Sequence, residues 1–249
     1  MSDALLMWVE ILFNILYLLT IFGLIFAMTR RLGKVKPEDL RVARYFILAF
    51  SLLALGDTGH VGFRVWAYAI GDLEATISLL GIEFGLVGLG ALSTAITVTM
   101  FYVVMLLIWS SRYERRLGPI GGILLAATLM RFIIMAFPQN QWNLTVPQQP
   151  WSLWRNLPLV VLGLGVAYLI LRDAVREKDR PFVWIGAMIL VSYAFYAPVI
   201  LFVQRAPALG MLMIPKTLAY IAIAVIAYRS IFQNAEPSLK EPEYSYVER

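Results

Sequence analysis

Seven long apolar runs leave this chain one medium in which to fold. They cover about 5–28, 42–66, 78–109, 119–137, 153–171, 181–203 and 209–231. A helix needs roughly 20 mostly apolar residues to cross the hydrocarbon core. A bilayer offers no water to unpaired backbone groups, so each run is expected to be a helix. The expected fold class is all-α: an integral membrane seven-helix bundle forming one domain over 1–233. The acidic tail 234–249 reads as a short disordered end. The first run is not read as a cleaved signal peptide. It is too long, Asp3 and Glu10 stand where a basic region belongs, and no small-residue cleavage site follows.

Composition supports this reading. The chain is 60% hydrophobic and 15% charged, against about half and a quarter for soluble domains. An ordinary soluble enzyme, a disordered tail and a nucleic-acid-binding module are thereby excluded. With no cysteine, there is no disulfide, Cys-ligated metal or thiol nucleophile. One histidine, His60, excludes bis-His haem and all-His metal sites within the chain. Neither a metal nor a cofactor is expected, and the partner is expected to be a membrane lipid or other amphiphile, not nucleic acid. Homo-oligomerisation is left open.

Basic residues orient the spans. The first loop holds Arg30, Arg31, Lys34, Lys36, Arg41 and Arg44, and the third holds Arg112, Arg115 and Arg116. The fifth holds Arg172, Arg176, Lys178 and Arg180, and the C-terminal end adds Arg229, Lys240 and Arg249. The alternate loops carry only Arg155 and Arg205. Positive charge marks the cytoplasmic side, so the N-terminus is expected outside and the C-terminus inside the cytoplasmic membrane. The outer loops fit: Asp72 and Glu74 make one acidic, and the 138–152 loop carries Trp142 and Trp151 at headgroup level. Asn143-Leu144-Thr145 in that loop is a glycosylation sequon. Segments 14–63 and 156–202 are loosely alike, each starting at an Asn, which suggests a three-plus-one-plus-three repeat with the fourth helix as linker.

The residues of most interest are the charges inside the spans. Glu10, Asp57, His60, Arg64, Glu83, Arg131 and Lys216 are all expected in the outer halves. Charges at that depth face a bundle interior or a wet cavity. Asp57, His60 and Arg64 fall within one arc of their helix, Glu10 and Asn14 are one turn apart, as are Lys216 and Tyr220, and Glu83 shares a face with Thr97. Pro215 is expected to open the helix before Lys216. Together they suggest one outward-facing polar pocket. Ion pairs that merely brace a bundle are the competing explanation, since the acids and bases balance.

One stretch carries a resemblance. Phe50-Ser51-Leu52-Leu53-Ala54-Leu55-Gly56-Asp57, with Arg64 seven residues on, resembles the S-L-L-G-D…R segment of the bacterial lysoplasmalogenase-like (YhhN-like) membrane proteins. The helix ending in Tyr102 and the run Ile185–Ser192 are similar to later elements of that family. The chain departs from it at Thr99, where a His is common, at Tyr193, where an acid is common, and in having seven spans in place of eight. A less studied group that combines Gly-Asp-x-x-His…Arg with a late Pro-Lys is more similar still.

The resemblance implies hydrolysis of a vinyl-ether lysophospholipid. That reaction needs an acid to protonate the enol-ether carbon and a base to direct water. Asp57 and Glu83 are the candidates, with Glu10 in reserve and His60 as a proton shuttle. Arg64, Arg131 and Lys216 would hold the phosphate, with Tyr220, Thr97 and Asn14 as further binding residues. A proton-coupled transporter of a small anionic or zwitterionic solute is the alternative. A seven-helix receptor or sensor is the third. Lys216 in the last helix invites comparison with microbial rhodopsins, but Leu212 stands where those carry an Asp.

Overall fold

The computed structural model describes residues 3–79, 81–144 and 148–233. Among them are seven helices long and apolar enough to cross a membrane, 19 to 30 residues each. They centre on α1 (Asp3–Arg31), α2 (Leu40–Ala69), α3 (Leu86–Arg112), α4 (Gly118–Ala136), α5 (Trp151–Arg176), α6 (Arg180–Phe202) and α7 (Met213–Ala227), whose flanking turns extend the seventh span to Ala208–Gln233. The last runs on into a π-helical turn, Tyr228–Gln233. This is the expected multi-pass bundle. The tail 234–249 and Thr145 of the sequon lie outside the described residues.

The third span corrects one boundary. Helix was expected from residue 78, but β1 (Thr76–Leu79) and β2 (Ile82–Gly85) pair antiparallel, with Ser78 opposite Glu83. Helix α3 starts only at Leu86. Pro215 gives a second correction. It sits in the first turn of α7, directly after a 3-10 segment, Pro207–Leu212. A first-turn N–H has no intrahelical acceptor, so proline there opens nothing.

Packing is closest between α2 and α3. A Cβ on Gly90 would lie 2.9 Å from the Cα of His60 and 3.0 Å from its carbonyl oxygen. A Cβ on Gly56 would meet the side chain of Thr97. Small residues let membrane helices approach this closely. The gain is visible in the Thr94 hydroxyl, which donates to the Gly56 carbonyl at 3.1 Å. The core is aromatic, with Phe46, Phe50, Phe101, Tyr102 and Phe182 all at 1% exposure or less. By contrast α1 exposes Leu12, Leu16, Leu19 and Phe26, and α4 exposes Ile123, Leu129 and Met130. These are the lipid-facing flanks of the bundle.

One end of the bundle is tied by charge. Arg112, at the end of α3, reaches Asp39 before α2 at 2.6 Å and Asp179 before α6 at 2.9 Å. The Tyr113 hydroxyl also points at Asp179, at 3.5 Å. Burial, and after it the Asp179 carboxylate, push that phenol above its ordinary pKa, so it stays a donor. Asp173 near the end of α5 is 1% exposed and accepts from the Trp109 indole at 2.8 Å and from Arg172 at 2.7 Å. Asp173→Leu is expected to cost about 1–3 kcal/mol, because it strands the buried indole N–H. Trp109→Phe, which removes the donor as well, should recover part of that loss in the double variant, as read by thermal melting.

Candidate functional site

The other end, beside the hairpin, holds a chamber-like cluster of buried polar side chains, closely packed, to which all seven helices contribute. Tyr17 of α1 donates its hydroxyl to Asp57 Oδ2 of α2 at 2.7 Å. Asp57 in turn interacts electrostatically with Lys216 of α7, and Thr94 of α3 lies beside it. The Lys216 ammonium rests over the Tyr196 ring, 4.4 Å from its centroid, and 5.6 Å from that of Tyr220. Aromatic faces stabilise a cation that has left water.

Tyrosines pack through the cluster, and each hydroxyl finds a partner. Tyr102 and Tyr220 share a hydrogen bond of 3.0 Å. Tyr193 donates to the Leu159 carbonyl at 2.8 Å, and Tyr196 donates to Asn156 Oδ1 at 3.1 Å. Buried tyrosines require such partners. These bonds tie α6 to α5, and α3 to α7, around the same space.

The arginines behave differently. Arg131 of α4 is 2% exposed, and its Nε and Nη1 have no hydrogen-bond partner. Arg155 of α5 is 7% exposed and interacts electrostatically with Arg131. Its guanidinium lies over the Trp142 ring at 4.3 Å, and its Nη1 meets Asn140 Oδ1 at a long 3.5 Å. Both arginines share Tyr196 as a neighbour.

A cap closes this end. Asn140 donates to the carbonyls of Ile134 at 2.6 Å and Phe137 at 3.0 Å. The Trp142 indole donates to the Met135 carbonyl at 3.1 Å, and the Trp142 carbonyl accepts from Gly85 N at 3.2 Å. The loop after α4 is thus fastened to both α4 and the hairpin.

Of the residues singled out from sequence, Asp57, Arg131, Lys216 and Tyr220 meet in this chamber. His60, Asn14 and Arg64 line a small cleft between α1 and α2, together with Ile11, Val61 and Tyr68. His60 joins the two regions, since it also interacts with Lys216, and its Nδ1 is buried without a partner. Thr97 packs on Gly56 and donates to the Ser93 carbonyl at 3.0 Å, which makes it a packing residue of the α2–α3 contact. Glu83 stands exposed on β2. It is not on a helix face with Thr97, because the hairpin replaces the first turns of the expected span. The side chain of Glu10 lies outside the described residues. Sequence reasoning missed Tyr17, Tyr102, Arg155 and Asn156 as members of the chamber. Arg155 had one available signal: it was one of only two basic residues in the alternate loops.

Seven apolar helices around a buried polar chamber define a multi-pass membrane protein. No known protein family, curated protein or solved structure matches the chain.

Proposed function

We propose that the protein is a carrier for a small anionic or zwitterionic solute, bound in the chamber, with its N-terminus outside and its C-terminus inside the cytoplasmic membrane. The observation that carries this reading is Arg131. A guanidinium held at 2% exposure without partners for two of its nitrogens is costly inside a bundle. An anionic ligand would supply what the chain does not. Asp57 is the carboxylate that faces Lys216, so it is the group to exchange a proton as the charge in the chamber changes. The test is uptake into vesicles with an imposed proton gradient, using a panel of small anions and zwitterions. Wild type should accumulate at least one of them, and Asp57→Asn should lose the dependence on the gradient. Equal uptake with and without the protein would sink the proposal.

A second reading draws on the Tyr17–Asp57 bond and the neighbouring cleft. Lysoplasmalogenase-like hydrolysis would add water across the vinyl ether and release an aldehyde. Asp57 and Tyr17 would be its proton-handling pair, and the cleft at His60 and Arg64 its lipid entrance. Glu83, exposed on the hairpin, offers no second carboxylate beside Asp57. Mass spectrometry of wild type and Asp57→Asn with lysoplasmalogen decides it: aldehyde from wild type alone would replace the carrier reading.

A further inference from the structure

We infer that the Arg131–Arg155 end of the chamber is a binding site for a dianionic phosphate group, either the monoester headgroup of a lipid or free phosphate. The inference rests on the carrier reading only in taking the ligand to be anionic.

The charge pattern sets the ligand's charge. At the far side of the chamber Lys216 faces Asp57, and that carboxylate is already engaged by Tyr17. Arg131 interacts electrostatically with both Arg155 and Lys216, and the neutral phenol of Tyr196 is the neighbour all three share. The cluster thus carries an excess of two positive charges beside Tyr193, Tyr196 and Trp142. A carboxylate would neutralise one of them. A phosphate monoester carries about −1.5 to −2 at neutral pH and neutralises both.

The donors fit the same group. A guanidinium presents a planar fork of N–H groups that matches two phosphate oxygens. Arg131 offers Nε and Nη1, donors on different edges of the guanidinium, and both are unpartnered at 2% exposure, so neither is committed to the protein. Arg155 is held by a ring face and a 3.5 Å contact. Both are weak enough to exchange for a charged hydrogen bond. Because Asn140 and Trp142 belong to the cap, a phosphate that draws Arg155 away also loosens what the cap rests on.

The experiment uses the full chain in nanodiscs and measures binding by calorimetry. The soluble arm titrates inorganic phosphate and glycerol 3-phosphate, with acetate as the monoanion. The lipid arm titrates lysophosphatidate, with lysophosphatidylcholine as its zwitterionic control. Phosphate-class ligands should bind at least about 10-fold tighter than their controls, the worth of one further charged hydrogen bond. Arg131→Lys and Arg155→Lys keep the charge and lose the fork, and each should weaken binding about 10-fold or more. Tight binding in the lipid arm alone identifies a headgroup site, and in the soluble arm alone a free-phosphate site. Acetate binding as tightly as phosphate, or phosphate binding unchanged in both lysine variants, would overturn the inference and leave the anion carrier standing. Uptake of a zwitterion with no binding of any anion would overturn the inference alone. Neither binding nor uptake of any solute would overturn both.

Discussion

Arg131→Met is expected to stabilise the ligand-free protein by about 1–4 kcal/mol and to end anion binding in the same step. The two effects have one cause. A side chain of similar length and no charge removes the cost of holding a guanidinium at 2% exposure with Nε and Nη1 unpaired. The same change removes the two unpartnered guanidinium N–H groups described above. Melting in nanodiscs without added anion reads the first effect, and calorimetry with inorganic phosphate reads the second. A membrane protein that brings a cation into its core without pairing it has accepted instability for the sake of a ligand. If the variant melts below wild type, Arg131 is a structural pin, and the functional reading of the chamber loses its main support. The companion change Arg155→Met should move stability less, because Trp142 already stabilises that cation from its ring face.

Gly90→Val should be the most damaging single change in the helix contacts. At this position even a Cβ would lie 2.9 Å and 3.0 Å from two backbone atoms of His60. Backbone cannot rotate aside as a side chain can, so α2 and α3 must separate. Overpacking of this kind costs about 1–3 kcal/mol and occasionally more. The damage should also reach the site, because separating the pair breaks the bond from Thr94 to Gly56 and moves Asp57 off Tyr17 and Lys216. The expected result is a lower melting temperature together with lost uptake. Gly62→Val is the control, since a Cβ there meets nothing within 4 Å. Equal melting temperatures for the two variants would contradict the close α2–α3 approach.

Much of the fold could be read in advance because hydropathy needs no tertiary information. Six of the seven helices begin and end within a few residues of the runs seen in the sequence. The exception, the third, fails for a physical reason. Thr76 to Gly85 carries five large apolar residues in ten, enough for hydropathy to merge it with the helix behind it, while its short alternation of polar and apolar residues is the mark of a hairpin. Glu83 was carried into the site by that merger. Asp57, Arg131 and Lys216 could be found because a charge inside an apolar run stands out. Tyr17 and Tyr102 could not, because a tyrosine on a helix reads equally well as packing. What separates the two cases is the hydrogen bond each makes, and that depends on which helices become neighbours. Arg155 was assigned to a loop by its closeness to the span's end, where one turn of helix decides between headgroup and core.

The Arg112 clasp gives the molecule a mechanical asymmetry. It holds α2, α3 and α6 together by two carboxylates on one guanidinium, and the Asp173 contacts fasten α5 to α3 just beside it. The hairpin end has no comparable staple among the described ion pairs; its cap is fixed by backbone and amide hydrogen bonds. The bundle is therefore built like tweezers, with its described ion pairs gathered at one end. On the carrier reading, entry past the cap breaks the hydrogen bonds of Asn140 and Trp142 and the contact of Arg155 with the Trp142 ring. On the same reading, passage through the joined end requires the Arg112 ion pairs to be pulled apart, so that step is expected to be the slow one and its rate to depend on ionic strength.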